Sequence, residues 1–319
     1  MARSAARVLP SFLRPVHRLH ANTRVAEHED AVFQHTQPIG AVHAHWWSSV
    51  EDVPRKVILF IPGNPGLLDF YIPFLSALHS KDRRMSILAH SHAGHTPGFH
   101  TSPGSHRLLL QIQSAIEAFD AIKVEYGPDI PVTVVGHSIG SWITLQILKA
   151  RSDTISGVFL LFPTITDITS SPNGRALSWV FPWAVTISRI ANILRVIPLS
   201  CILSWIFRSW PAHQKSVLEG LLRSPSSILA TLSMADDEMK LVRDLDTQLL
   251  QRNNHKVWMY FAQSDDWVGD SKDVILHSFQ PDEGSVRVVH GHHGIPHAYC
   301  IEHGEQLADQ CFDWLQALD

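Results

Sequence analysis

The stretch VTVVGHSIGSWITLQIL, residues 132–148, constrains this chain more than any other. A β-branched apolar run is followed at once by Gly136-His137-Ser138-Ile139-Gly140, and then by apolar residues at helical spacing. A strand that turns into a helix over so few residues leaves almost no room for side chains beside the serine. Gly136 and Gly140 supply that room. The strained turn presents the Ser138 hydroxyl at the carboxyl end of a sheet, and the following helix N-terminus favours negative charge beside it. The pattern therefore predicts a nucleophile on a tight strand-to-helix elbow.

The surrounding chain supplies a sheet for that elbow. AVHAHWW, KVILFIP, SILAH, GVFLLFP, KVWMYFA and SVRVVH are short apolar or β-branched runs. LLDFYIPFLSALHS, HRLLLQIQSAIEAFDAIKVEYG and EQLADQCFDWLQAL have helical spacing. Alternating strands and helices with nearly all-apolar strands predict an α/β fold, a mostly parallel sheet covered on both faces. The alternation breaks between about 166 and 244, where only helix-like hydrophobic pieces occur. The expected division is a core of 31–165 and 245–319 with an insertion at 166–244.

A serine hydroxyl is a weak nucleophile at neutral pH, so it needs a base, and the base needs an orienting acid. On a sheet of this kind the acid and then the base follow the serine along the chain. KVWMYFA runs into QSDDWVGD, which offers Asp265, three residues past Ala262. Asp266 is the second choice and Asp270 a third. SVRVVH runs into GHHGIPHAYC, where His297 follows a Gly-Ile-Pro turn that can aim its ring. His292 and His293 are read as loop residues. No metal is expected in this histidine run, because it has neither a helical H-E-x-x-H pattern nor a cysteine partner. The oxyanion formed during acyl transfer needs two donors. One is the Ile139 amide; the other comes from the turn in KVILFIPGNPG, where Asn64 has an N–H and Pro65 has none.

The 319 residues carry a formal net charge of −4, with 45% apolar and 18% charged residues. That fits a folded globular chain and gives no reason to expect nucleic acid. The odd number of cysteines, three, lacks zinc spacing and suits free thiols. MARSAARVLPSFLRPVHRLHANTR has five arginines and no acid. It reads as a basic arm over 1–30, either a mobile tail or an organelle-targeting or membrane-touching segment.

Taken together, FIPGNPG followed by FYIPFL, SHAGH, GHSIG, LFPTI, SPNG and GIPHA resemble the α/β-hydrolase superfamily. More narrowly, they resemble the lipid droplet-associated hydrolase family, from about residue 55 to the C-terminus. The resemblance implies the same triad of Ser138, Asp265 and His297. It also implies an α/β-hydrolase fold with a cap, a lipid-ester substrate with cholesteryl esters the usual activity, and residence on lipid droplets and the endoplasmic reticulum, cytoplasmic face. No metal or organic cofactor is required. DDWVG departs from the family's D-x-W followed closely by Pro, which leaves Asp266 in contention.

The insertion falls where that superfamily carries its cap. Its segment ALSWVFPWAVTISRIANILRVIPLSCILSWIFRSW has uncharged runs shorter than the roughly 20 residues needed to cross a bilayer. Pro182 and Pro198 would break a single long helix. Ser188, Arg189, Asn192 and Arg195 form one narrow polar stripe, and Trp179, Trp183, Trp205 and Trp210 lie towards the segment's ends. The expectation is a hydrophobic cap lying in a phospholipid monolayer, its tryptophans at the lipid–water boundary. Two functions follow: a serine esterase acting on lipid esters, or a droplet-coating or tethering protein with vestigial catalysis.

Overall fold

The computed structural model describes residues 9–16, 27–99, 101–102, 104–193, 197–279, 287–291 and 294–318. Nine strands form one sheet: β1 (Leu13–Pro15), β2 (Glu29–Gln34), β3 (Ala41–Trp47), β4 (Val57–Ile61), β5 (Ser86–His90), β6 (Val132–His137), β7 (Gly157–Leu161), β8 (Val257–Phe261) and β9 (Val288–His290). Their order across the sheet is β1-β2-β3-β5-β4-β6-β7-β8-β9. From β5 through β9 every pairing is parallel, whereas β1, β2 and β3 run antiparallel up to β5. Strands β4, β5, β6, β7 and β8 are buried along their whole length. This explains their unbroken apolar runs, since helices cover both faces of a parallel sheet.

The core helices are α1 (Ile72–Lys81), α2 (Leu108–Tyr126) and α3 (Ile139–Arg151), with α10 (Ser271–Phe279) and α11 (Gly304–Leu318) closing the chain. Two large apolar clusters result. One is built around Phe119, Ile143 and Met259, and the other around Phe74, Phe159 and Trp314.

Between β7 and β8 the chain is helical: α4 (Pro172–Leu177), α5 (Ala184–Ala191), α6 (Leu199–Ile206), α7 (Ala212–Leu222), α8 (Pro225–Leu241) and α9 (Thr247–Arg252). Local chemistry starts several of them. The Ser171 and Ser224 hydroxyls and the Asp246 carboxylate accept from the Gly174, Ser227 and Leu249 amides, capping α4, α8 and α9. Pro172 and Pro225 occupy first-turn positions, where no N–H is needed. No helix among the described residues is long and apolar enough to cross a membrane.

One boundary differs from the sequence expectation. Leu13–Pro15, placed in the basic arm, pairs with β2, and Leu13, opposite Phe33, is buried in the same core cluster as Phe33 and Trp46. Ser11 anchors the same piece by donating to the Glu125 carboxylate from its amide, at 3.0 Å, and from its hydroxyl. Residues 29–30 of the arm begin β2, and its residues 1–8 and 17–26 lie outside the described residues, as do Arg195, His292 and His293.

Candidate active site

Ser138 sits between β6 and α3 at φ 54°, ψ −123°, one of three non-glycine residues with positive φ in the described chain. The crowding that the glycines relieve is measurable. A Cβ on Gly136 would lie 2.4 Å from the Gly140 carbonyl oxygen, and one on Gly140 would lie 2.4 Å from the Ile61 carbonyl oxygen. Neither backbone atom can yield, so both positions demand glycine.

Two loops from distant parts of the sequence meet the elbow. His297 Nε2 lies 2.9 Å from Ser138 Oγ, and His297 Nδ1 lies 2.8 Å and 3.0 Å from the two Asp265 carboxylate oxygens. The Asp265 carboxylate also accepts from the Trp267 amide at 2.9 Å and the Val268 amide at 3.2 Å. Burial pushes this carboxyl up, but the His297 bond and the two amides outweigh burial and hold it below its ordinary value. Asp266 and Asp270 are exposed side chains. The Asp266 main chain instead accepts from Asn173 at 2.9 Å, tying α4 to this loop.

The turn after β4 closes on the serine from the other side. A Cβ on Gly63 would meet His137 Nδ1 at 2.9 Å and Ser138 Cβ at 3.1 Å, so the Gly63-Asn64 backbone runs directly against Ser138. The Asn64 side chain is committed elsewhere: its Nδ2 donates to the Thr231 carbonyl at 3.0 Å and to Glu238 Oε1 at 2.8 Å, both on α8. Asn64, in the turn after β4, and Ile139, at the first turn of α3, flank Ser138 as the sequence reading expected of the two oxyanion donors. Glu238 is buried, and burial raises its carboxyl to about 8, with the Asn64 bond opposing and Asp237 assisting. Near neutral pH it is an uncharged acid.

Behind Ser138 and His297 runs a hydrogen-bond chain that no motif in the sequence announced. Gly63 N–H donates to Tyr71 Oη at 3.1 Å, Tyr71 Oη lies 2.8 Å from His137 Nδ1, and His137 Nε2 lies 2.9 Å from the His297 carbonyl oxygen. A carbonyl can only accept, so His137 Nε2 carries the proton and Nδ1 accepts from the tyrosine hydroxyl. Burial, and next the neighbouring His297, lowers the His137 ring to about 3, keeping it neutral and this tautomer in place. One buried histidine thus braces the oxyanion turn, the elbow and the histidine loop. The signals were present in GHSIG and FYIPFL, but nothing local says that they meet. Glu238 sits in a charged stretch, MADDEMKL, which by composition resembles an exposed helix face.

Above these groups lies a cavity of about 400 Å³. Ser138, His297, Asn64 and Tyr71 form its floor, and Leu177, Phe181, Trp210, Leu218, Leu221 and Met239 from the inserted helices form its walls. Of the four tryptophans expected at a lipid boundary, Trp179, Trp183 and Trp205 are 71%, 60% and 68% exposed. Trp210 differs: it is half-buried, its ring centroid lies 4.5 Å from that of Phe207 at a tilt of 39°, and it lines the cavity. The expected polar stripe on α5 also faces differently. Ser188 is buried, donating to the Pro225 carbonyl at 2.8 Å, while Val185 and Ile190 point outward with Arg189.

The comparisons with known proteins agree with this architecture. Overlay on a crystal structure of a putative lipase from Acinetobacter baumannii gives a TM-score of 0.61 at 11% identity, over 92% of each chain. At that identity the likeness establishes the α/β-hydrolase fold alone. The lipid droplet-associated hydrolase of Homo sapiens is 30% identical over 287 residues, covering 82% of this chain and 85% of that one. Its Drosophila melanogaster counterpart is 25% identical over 303 residues, covering 85% and 92%. The family model for lipid-droplet associated hydrolases matches residues 54–300, a span that holds the elbow, both loops that meet it and every inserted helix. By that match the chain belongs to the lipid-droplet associated hydrolase family.

Proposed function

We propose that this protein is a serine esterase that cleaves lipid esters, cholesteryl esters among them, at the surface of lipid droplets. The observation that carries the reading is the unbroken contact from Ser138 Oγ through His297 to Asp265, at 2.9 Å and 2.8 Å, on the floor of an apolar cavity. His297 Nε2 takes the Ser138 proton as the hydroxyl attacks the ester carbonyl. Asp265, fixed by two backbone amides, holds the ring in the required tautomer and faces the imidazolium that forms. The Asn64 and Ile139 amides receive the negative charge that develops on the carbonyl oxygen. His297 then protonates the leaving alcohol, and water, activated by the same ring, releases the acid. This route needs no metal or organic cofactor.

The cavity is small for a whole neutral lipid, at the lower end of the roughly 300–1,000 Å³ of small-molecule sites. On this reading only the scissile ester and part of the acyl group enter, and the remainder stays in lipid. The outward apolar side chains of α5 and α6 supply that contact, with 166–244 acting as the cap and endoplasmic reticulum membrane as a second surface. The other reading, a droplet-coating or tethering protein with vestigial catalysis, draws on the same outward face. A fluorophosphonate probe separates the two. Wild type should label and Ser138→Ala should not, with turnover of a droplet-borne ester falling on the order of 10⁴-fold. Folded wild type that neither labels nor turns over any ester would sink the enzymatic reading.

A further inference from the structure

A second group of donors lies apart from Ser138, on the β2–β3 hairpin behind the turn at 68–71. His43 and His45 alternate along β3, so both rings project from one face of the sheet. Asp30 is the cross-strand partner of His45 in β2 and shares that face. Asp69, in the single turn of 3-10 helix Leu68–Tyr71, brings a second carboxylate to the same place. Asp30 Oδ1 lies 2.6 Å from His43 Nε2 and 3.2 Å from His45 Nε2, and Asp69 Oδ1 lies 3.3 Å from that same His45 nitrogen. Asp30, His43 and His45 each offer a donor atom within 4.8 Å of the other two, while Asp69 stands outside that group and touches it through His45. Both rings are buried, whereas the Asp30 and Asp69 side chains are 23% and 29% exposed, which leaves a route in from solvent.

The separations at His45 are close to those of a coordination sphere. Zinc holds imidazole nitrogen and carboxylate oxygen at about 2.0–2.2 Å in tetrahedral sites, which sets neighbouring ligand atoms roughly 3.3–3.5 Å apart. The spacings at His45 already have that value. The Asp30–His43 contact is a hydrogen bond that opens by less than about 1 Å when an ion takes the place of the shared proton. His43 Nδ1 lies 3.3 Å from Thr96 Oγ1, so an outer-shell oxygen is in place to receive its N–H and direct Nε2 inward. Mixed nitrogen and oxygen donors suit zinc, whereas calcium and magnesium take oxygen alone.

We propose that Asp30, His43 and His45 bind a zinc ion, with Asp69 drawn in from beside His45 as the fourth ligand, and that the ion staples the β2–β3 hairpin to the turn carrying Tyr71. The site departs from the sequence expectation that no metal is held, and its donors come from three separate segments, a placement no local motif displays. The competing occupant is a proton on His45, paired with the two carboxylates and beside the His28 ring at 4.5 Å.

Metal analysis of the full chain, purified without a metal-affinity step, should find about one zinc per chain. Protein stripped with chelator should regain thermal stability when Zn²⁺ alone is added, and Co²⁺ in its place should give the visible absorption of a tetrahedral site. Absence of both responses in folded wild type would mean that the proton, not a metal, fills the cluster. The double change His43→Gln, His45→Gln should abolish zinc binding, and zinc retained at wild-type affinity would overturn the assignment. Should that variant fail to fold, Asp69→Asn, at a partly exposed side chain, should still weaken binding at least about tenfold. Ser138→Ala should bind zinc as wild type does, so the site stands or falls independently of esterase activity.

Discussion

Ser138 is held in a left-handed backbone conformation that costs a side-chain-bearing residue on the order of 1–3 kcal/mol, and three loops meet to hold it there. The clearest single strut is Tyr71. Tyr71→Phe removes the donor to His137 Nδ1 and the acceptor for Gly63 N–H, leaving two buried polar groups unpaired. Stability should fall by about 1–3 kcal/mol, and kcat should fall about tenfold with KM little changed. Denaturant melts and steady-state kinetics on a soluble short-chain ester check both, and a loss confined to KM would contradict the bracing role.

Glu238 gives a pH signature. Its folded carboxyl keeps the proton to about 8, while the unfolded chain releases it near 4.5. Stability from this group is therefore full below pH 4.5 and is lost progressively as pH rises to about 8. Above that, a buried negative charge stands beside Asn64 and opposes the oxyanion. Glu238→Gln should flatten the decline in melting temperature between those values and preserve kcat/KM above pH 8, where wild type loses it.

At this scale the serine, the aspartate and the histidine were legible because each sits in the loop directly after a strand, and loop position survives in the sequence. Tyr71, His137 and Glu238 were not, because their roles come from contacts across 66 to 174 residues of chain.

Among the elements, α8 and α5 divide the insertion between them. α8 is docked to the core at two points. Glu238 holds Asn64, and Asp237 holds both the Arg107 side chain and the Leu108 amide at the start of α2. α5 shows its small residues, Ala184, Ser188 and Ala191, to the interior, and gives Val185 and Ile190 to the outside. α6 also gives Ile202, Trp205 and Ile206 to the outside, while Leu199 and Leu203 face in. This outward placement of large apolar side chains is what the hydrophobic run from 176 to 210 could not reveal, because periodicity marks a stripe without saying which side faces in.

Replacing Trp179, Trp183 and Trp205 together by Ser should release the protein from droplets in lipid-loaded cells. Hydrolysis of a soluble short-chain ester should stay within about twofold of wild type, because none of the three lines the cavity. Undiminished droplet coating by the triple variant would contradict the docking role.

The strands showed the same selectivity. β4 through β8 were legible as unbroken apolar runs. β2 carries charge at Glu29 and Asp30 beneath its alternating burial, and β1 has only three residues. Edge positions of this kind lack the two-sided burial that writes a strand into sequence.

In the whole molecule, the parallel sheet carries the catalytic loops at the carboxyl ends of β4, β6, β8 and β9, while the antiparallel strands at the β1 edge carry the histidine pair. The sequence displayed this α/β plan almost complete, because each βα unit declares itself locally. The meeting of the hairpin with the 68–71 turn depends on crossing order in the sheet and left no trace. Leu177 belongs both to the cavity wall and to the exposed apolar face, so the route to Ser138 opens within that face. On the proposed reading the enzyme draws its substrate from a two-dimensional film, and the relevant concentration is molecules per unit of interface. At fixed ester mass, halving droplet diameter should therefore about double the initial rate while enzyme is in excess. With enzyme limiting and fully adsorbed, the rate should not change. Light-scattering sizing paired with product release distinguishes this from a protein that meets its ester in bulk water, whose rate would follow dissolved ester and ignore droplet size in both regimes.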